Sequence, residues 1–295
     1  MKNIMNYKPL VGIVILNWNG WQDTLECLKS LKDLNYCNYR IYVVDNASTD
    51  DSIFHIEQNF PNVRIICSSE NGGFAKGNNV GIKEALRDEV QFVWLLNNDT
   101  TVSVFALDGL INESASSDAV GVVGSVIFEY YQPWKVQAWG GGRFNRFLAT
   151  ASLSTSIDDK IEHINGASMF IRADALKDAG YLEEKFFFFM EDTELSLRIR
   201  RHGWEIAVAN DSYVFHKGGA SFKGEGKRNI KSDAYFVSAV GKFMGIVGMP
   251  YYLACLRFFI IILRRLLRKQ FSRIPIITRL FWENYKQGRY ASPVR

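Results

Sequence analysis

The residues most able to do chemistry sit in short polar clusters directly behind apolar runs. Val93-Trp94-Leu95-Leu96 is followed at once by Asn97-Asn98-Asp99-Thr100-Thr101. A carboxylate there can close an Asx turn, or it can bind a hard divalent cation whose shell a diphosphate completes. Asp45 ends the run Tyr39–Val44 in the same way. It can accept hydrogen bonds from a nucleobase or ribose, or cap the helix that follows. Asp50 and Ser48 are better placed as caps, which leaves Asp45 freer. Gly72 and Gly73 lie behind a third apolar run and allow a ligand to approach the backbone closely. Further along, Phe186-Phe187-Phe188-Phe189-Met190 leads into Glu191 and Asp192. Two acids at a helix start favour the helix dipole; beside an apolar wall, one of them can also serve as a general base. His216 ends an apolar stretch and enters a glycine-rich loop, a position open to a metal ligand or to a purely structural histidine.

The elements that must position these residues are legible in the hydrophobic pattern. Val11–Leu16, Tyr39–Val44, Val63–Cys67 and Gln91–Leu96 read as buried strands. Between them lie an amphipathic helix with Trp21, Leu25, Leu28, Leu31 and Leu34 at helical spacing, and helices over Asp50–Phe60 and Ala75–Arg87. This alternation predicts right-handed βαβ units, an α/β fold and a mainly parallel central sheet flanked by helices. Ligands of such sheets bind beyond the carboxyl ends of the strands. All four polar clusters fall there: Asn17–Gly20, Asp45–Asp50, Glu70–Phe74 and Asn97–Asp99. After residue 115 the pattern changes, to strands over Val120–Phe128, Ile164–Arg172 and Trp204–Val208, irregular loops or hairpins over Gln132–Thr155, and a helix over Glu191–Arg201.

The chain has 295 residues, 47% of them hydrophobic and 22% charged, enough for one large globular domain with an appendage. Its four cysteines show no close CxxC pairing, which argues against a zinc site or a disulfide framework and predicts a reducing, cytoplasmic setting. The start, MKNIMNYKPL, lacks the apolar core of a signal peptide. Charge is unevenly spread. From Gly241 to Arg295 there are eleven Lys and Arg and one acid, Glu283, whereas the rest of the chain is net acidic.

The polar clusters and their neighbours together resemble the family 2 glycosyltransferases, which have the GT-A fold. The matching segments are VGIVILNWNG (11–20), VVDNASTDDS (43–52), NGGFAKGNNVGI (71–82), LLNNDTTV (95–102), INGASMFIR (164–172), FFMEDTELSLRIRRHGW (188–204) and VFHKGGAS (214–221), in the family's order. Within the family the chain looks most like rhamnosyltransferase-type enzymes of bacterial surface polysaccharide synthesis. The resemblance implies inverting transfer of a sugar, rhamnose among the candidates, from a nucleotide-diphosphate sugar to a hydroxyl of a glycan or polyprenyl-linked acceptor. It implies that Asp45 recognises the base and that Asn17, Asn19, Asn71, Gly73, Asn78, Asn97 and Asn98 line the donor pocket. Asp99 would be the aspartate of a DxD-like element holding Mg2+ or Mn2+, with His216 as a later metal ligand. Gly166 and Ala167 would lie in the acceptor loop, with Asp192 as base and Glu191 beside it. The family's first DxD aspartate is Asn97 here, a weaker ligand than a carboxylate.

Residues 1–230 are expected to form the GT-A domain and residues 231–295 a helical membrane-associating segment. Phe243–Leu263 holds one charge, Arg257, and is divided by Pro250; Arg264, Arg265, Arg268 and Lys269 follow. An arginine in mid-segment and a dividing proline disfavour a spanning helix. Apolar and basic content together favour helices lying on an anionic membrane at the inner face of the cell membrane over a nucleic-acid site, with spanning helices or helices merely packed on the body as the alternatives. Two other functions stay open. A nucleotidyltransferase shares the sheet type, but its triphosphate loop after the first strand should be basic, and Asn17–Gly20 has no Lys or Arg. A non-catalytic nucleotide-sugar-binding membrane protein would have no need of Asp192.

Overall fold

The structure, a computed structural model, describes residues 8–218 and 230–290. The N-terminal stretch 1–7, the Gly219–Ser221 end of the last matching segment and the tail's final residues 291–295 lie outside the described residues.

The first half is the expected alternation: β1 (Val11–Asn17), α1 (Trp21–Lys32), β2 (Tyr39–Asp45), α2 (Ser52–Asn59), β3 (Arg64–Cys67), α3 (Gly73–Arg87) and β4 (Phe92–Asn97). β1 pairs in parallel with both β2 and β4, with Ile13 opposite Ile41 on one side and Trp94 on the other. Its β-branched residues are buried on both faces because α1 covers one side and α3 the other. A Cβ on Gly81 would lie 2.4 Å from the Val14 side chain, so glycine lets α3 pack directly on β1 and β2.

The second half runs β5 (Thr100–Val102), α4 (Ala106–Ser114), β6 (Val120–Glu129), β7 (Gln132–Trp139), β8 (Gly141–Asn145), β9 (Thr150–Leu153), β10 (His163–Ile164), β11 (Ser168–Arg172), α5 (Ala173–Ala179), α6 (Glu191–Arg201) and β12 (Glu205–His216). The main sheet has the order β3-β2-β1-β4-β11-β6-β12-β5, with β7 on β6. It is parallel from β3 to β4 and mixed beyond. β11 is antiparallel to both β4 and β6, β12 is parallel to β6, and β5 and β7 are antiparallel to their partners. No helical crossover feeds β11. The chain enters it from β10, off the small sheet β10-β8-β9, so the crossover connection that a parallel pairing needs is absent here.

That reversal determines the site. Because β11 is antiparallel, its first residue, Ser168, lies opposite Leu96 near the end of β4. The loop before β11 is thereby delivered to the carboxyl edge of the parallel strands. Trp94 Nε1 donates to Ser168 Oγ at 2.9 Å and fixes the register beneath it.

Three helices follow: α7 (Ile230–Ile246), α8 (Tyr251–Leu267) and α9 (Ile274–Tyr290), with a 3-10 turn at Phe271–Arg273 before the last. The chain breaks at Gly248 and Pro250, so the apolar stretch 243–263 is split between two helices. Among the described residues no helix is long and apolar enough to cross a membrane. α7 shares a hydrophobic core with the body: Val237, Val240 and Phe243 pack with Phe144, Phe186 and Leu197. Tyr235 stacks on Phe187 with ring centroids 4.8 Å apart.

Candidate functional site

The expected donor side is a network of mostly neutral side chains. Asn17, fully buried at the end of β1, donates from Nδ2 to Asp45 Oδ1 (2.8 Å) and Ser48 Oγ (3.1 Å) and accepts from Thr24 Oγ1 (2.7 Å). The other Asp45 oxygen accepts the Ser48 N–H at 2.9 Å. Asp45 is therefore less free than the sequence suggests. Ala47 adopts a left-handed φ of 58°, the chain turns sharply behind β2, and the Ser48 N–H needs an acceptor that the carboxylate supplies. Neither Asp50 nor Ser48 is the cap residue: Asp51 holds that position, and Asp50, one residue before it, accepts from Ser52 N and Oγ. Ser48 instead supports the loop of β1, accepting from the Asn19 N–H at 2.9 Å. Asn19 Oδ1 in turn accepts from Thr49 N (2.7 Å) and Asp50 N (3.3 Å), so the first two strand-end loops are clamped together.

The third loop is held by Asn71 and by Asn46, a residue the sequence reading passed over. Asn46 Nδ2 donates to Asn71 Oδ1 (2.9 Å), Asn46 Oδ1 accepts from Gly72 N (3.1 Å), and Asn71 Oδ1 also accepts from Gly73 N (3.0 Å). Gly73 has φ 79°, and a Cβ on it would lie 2.3 Å from the carbonyl oxygen of Phe187. Next to it, Phe74 N donates to that same oxygen at 2.7 Å. The α3 N-terminus is thus docked on the phenylalanine loop that precedes α6. Asn78 faces back along α3, donating to Phe74 O at 3.0 Å.

The fourth loop joins the expected donor side to the expected acceptor loop. Asn98 Nδ2 donates to Thr24 Oγ1 (3.1 Å) and Gly20 O (3.3 Å). Asn97 N donates to Ala167 O at 3.1 Å, which ties the end of β4 to the loop before β11. One residue back, Gly166 N donates to Asp192 Oδ2 at 2.9 Å, while Asp192 Oδ1 accepts from Thr193 N (2.6 Å). Phe189 and Met190 carry successive left-handed φ values of 75° and 71°, rare for bulky residues. This strained corner, held by the contacts of Phe187 and the core around Phe186, points the first turn of α6 at Gly166.

Glu191 and Asp192 differ in setting. Glu191 is buried, its Oε2 has no hydrogen-bond partner, and burial, reinforced by the adjacent Asp192 carboxylate, pushes its pKa up to about 8. Asp192 is half-buried and hydrogen-bonded. A carboxylate offers about four acceptor positions. The donors facing Asp192 are Gly166 N, Thr193 N and Thr193 Oγ1, which leaves room for one more.

At the other end of this rim, His216 Nε2 lies 3.2 Å from Asp99 Oδ1. The two candidate ligands, 117 positions apart, meet because β12 runs antiparallel to β5, with His216 opposite Thr100. His216 Nδ1 is 2.7 Å from Gln137 Oε1 on β7, so Nδ1 carries the hydrogen and Nε2 turns to Asp99. Lys217 locks the arrangement from behind. Its N–H donates to Asp99 O at 3.0 Å and its Nζ pairs with Asp23 and Glu26 of α1. No sequence spacing pointed to Gln137 or Lys217; Gln137 is placed by the pairing of β7 with β6, and Lys217 by following His216 directly off the end of β12.

An imidazole nitrogen and a carboxylate oxygen facing each other form a donor pair suited to a borderline-hard divalent ion such as Mn2+. Among the described residues no third His, Cys, Asp or Glu completes a protein-only metal cluster. The pair fits a cation whose remaining ligands come with a nucleotide.

Comparison with known proteins bears on the family and the fold. The family described as glycosyl transferase family 2 matches residues 12–180. A Streptococcus pneumoniae protein named glycosyltransferase GlyG is 26% identical over 121 residues, 39% of this chain and 38% of its own length. An N-acetylglucosaminyl-diphospho-decaprenol L-rhamnosyltransferase of Mycobacterium tuberculosis is 21% identical over 201 residues, 60% of this chain and 66% of its own. The chain thus spans less than two-thirds of the length of either relative. The mannosyltransferase PcManGT from Pyrobaculum calidifontis, solved with GDP-Man and Mn2+, superposes with a TM-score of 0.61 at 14% identity, over 93% of this chain and 74% of that one. The structural likeness makes the fold GT-A, and with a family match that covers more than half of its length, the chain belongs to glycosyl transferase family 2.

Proposed function

We propose that the chain is an inverting glycosyltransferase that moves a sugar from a nucleotide-diphosphate donor to a hydroxyl of a glycan or polyprenyl-linked acceptor. One observation carries the reading. A single path of contacts runs from Asp192 through Gly166, Ala167 and Asn97 to Asp99 and His216, so a candidate base and a candidate diphosphate site share one rim. The mycobacterial relative's name favours a deoxyhexose such as rhamnose as the donor sugar and a lipid-linked acceptor.

In this reading the nucleoside lies against the loops clamped by Asn17, Asn19, Asp45, Asn46 and Asn71, and Asn78, Asn97 and Asn98 complete that wall. Asp99 and His216 would hold Mg2+ or Mn2+. Such an ion, when bound, neutralises charge on the departing diphosphate. Gly166 and Ala167 border the acceptor. Asp192 takes the proton of the acceptor hydroxyl as its oxygen bonds to the anomeric carbon. The bond from that carbon to the diphosphate oxygen breaks on the opposite face, and its electron pair leaves with the diphosphate. Glu191, neutral below about pH 8, sets no second charge beside the base. The setting is the cytoplasmic side of a membrane that carries the acceptor.

The test is calorimetry with dTDP-, UDP- and GDP-sugars, with and without Mn2+, on wild type and Asp99→Ala. Metal-dependent binding of one donor class, weakened at least tenfold in the variant, is expected. Binding indifferent to both metal and Asp99 would remove the metal assignment. A non-catalytic nucleotide-sugar-binding protein is the alternative, and it would bind donor yet be indifferent to the loss of the Asp192 carboxylate.

A further inference from the structure

Helix α8 is inverted relative to a helix on a water-facing surface. Its inward face carries Ala254, Arg257, Ile261 and Arg265, all buried. Arg265 pairs with the buried Asp233 of α7 at 2.9 Å, and Arg273, just beyond α8, pairs with the same carboxylate. Arg257 is 3% exposed, its Nε has no hydrogen-bond partner, and burial, with Arg264 nearby, lowers its proton affinity to about pH 10, so it stays charged. The outward face is apolar: Tyr252, Leu256, Phe259, Leu263 and Leu267 recur at helical spacing, and Phe271 extends the stripe. Phe259 is 61% exposed and Leu267 76%. Turning the helix to hide this stripe would break the ion pair to Asp233 and bring apolar residues against a buried carboxylate. The orientation is therefore fixed by electrostatics inside, and the apolar stripe needs a partner outside.

Charge identifies that partner. From Tyr251 to Arg273 there is no acidic residue. Arg264, Arg268 and Lys269 are exposed at the C-terminal end of the stripe. A second copy of the chain would bring the same uncompensated cations to the interface. An anionic lipid surface supplies both missing components, acyl chains for the stripe and phosphates for the cations. A spanning role is excluded by length, since 17 residues reach only about 26 Å at the rise of an α-helix.

We propose that the outward face of α8 is a membrane-docking surface for anionic lipid, with the helix lying flat, its stripe in the acyl boundary and Arg264, Arg268 and Lys269 among the headgroups. This deepens the lipid-linked-acceptor reading above, and it is measurable without donor or acceptor. The full chain is sedimented with vesicles of phosphatidylglycerol and phosphatidylethanolamine in equal parts, and separately with pure phosphatidylcholine. Wild type is expected on the anionic vesicles only. The double variant Phe259→Ser, Leu263→Ser should lose on the order of tenfold or more in partitioning. Arg264→Glu with Arg268→Glu should lose binding to a similar degree and reduce its salt dependence. Both variants alter exposed side chains, and unchanged circular dichroism and donor binding would confirm an intact fold and catalytic site. The proposal is overturned if wild type stays in the supernatant, binds phosphatidylcholine equally well, or is bound as well after the serine substitutions. It is also overturned if light scattering shows a dimer that those substitutions dissolve while no vesicle binding is seen. Loss of donor binding in wild type would count against the glycosyltransferase reading and leave the docking result standing.

Discussion

The two halves of the rim are built from different chemistry. On the proposed donor side, behind β1, β2 and β3, the contacts are amide and hydroxyl bonds among Asn17, Asn19, Thr24, Asn46, Ser48 and Asn71, with one carboxylate, Asp45, tied at both oxygens. On the other side stand Asp99, His216, Glu191 and Asp192, all capable of changing charge or binding a cation. The neutral half is assembled from loops close in sequence on a parallel sheet. The titratable half is assembled from segments far apart, brought together by antiparallel pairing. Neutral, mutually bonded groups suit a rigid wall for recognition. Charged groups suit the steps in which charge moves, and they need the most supporting structure.

The largest effect should separate the halves outright. Asp192→Asn should lower kcat by about 10²–10⁴-fold while leaving donor affinity within about twofold, measured by sugar release and by calorimetry. Equal losses in both quantities would mean that Asp192 holds structure rather than accepting a proton. The junction between the halves comes next. Gly73→Ala places a Cβ in a left-handed residue and 2.3 Å from Phe187 O, and should cost about 2–4 kcal/mol in urea unfolding. An unaffected midpoint would show that the α3 start and the phenylalanine loop are independent.

Within the titratable half, Gln137→Ala should weaken Mn2+ affinity by about 10–100-fold, read by paramagnetic resonance with nucleoside diphosphate present, because Nδ1 of His216 loses its acceptor. Donor-side affinity without metal should not move. The smallest effect is a slope. Glu191 holds its proton up to about pH 8 in the folded chain, against about 4.5 for a free side chain. Between those values the folded state binds more protons than the unfolded, so this group's contribution lowers stability as pH rises. Glu191→Gln should flatten that fall and gain at least about 1 kcal/mol near pH 8, checked by unfolding across the window. An unchanged slope would place Glu191 in contact with water.

Much of this was legible in the sequence because it is local. β-branched runs, the helical periodicity between them and the polar residues behind them fixed the position of the first four strands and hence of Asn17, Asp45, Asn71 and Asp99 at one edge. Glu191 and Asp192 were marked by a helix start that needs no tertiary contact. Three things were not legible. The freedom expected for Asp45 depended on whether Ser48 N would find another acceptor, and the left-handed turn at Ala47 decided that it would not. Gln137 carries no pattern of its own and gains a role only when β7 pairs with β6 and sets it beside His216. The tail's division at Pro250 was legible, but which face of α8 turns inward follows from the buried Asp233, which pairs with both Arg265 and Arg273.

The sequence by itself determined which residue types were present and on which local element each stood, because hydrophobic period and turn chemistry act over a few residues. Only the tertiary structure decided which of them meet. β11 reversed direction and carried Gly166 to β4 and Asp192, and β12 paired with β5 and carried His216 to Asp99. Strand direction and order are set by long-range pairing and by what the connections allow, and no window of sequence contains that information.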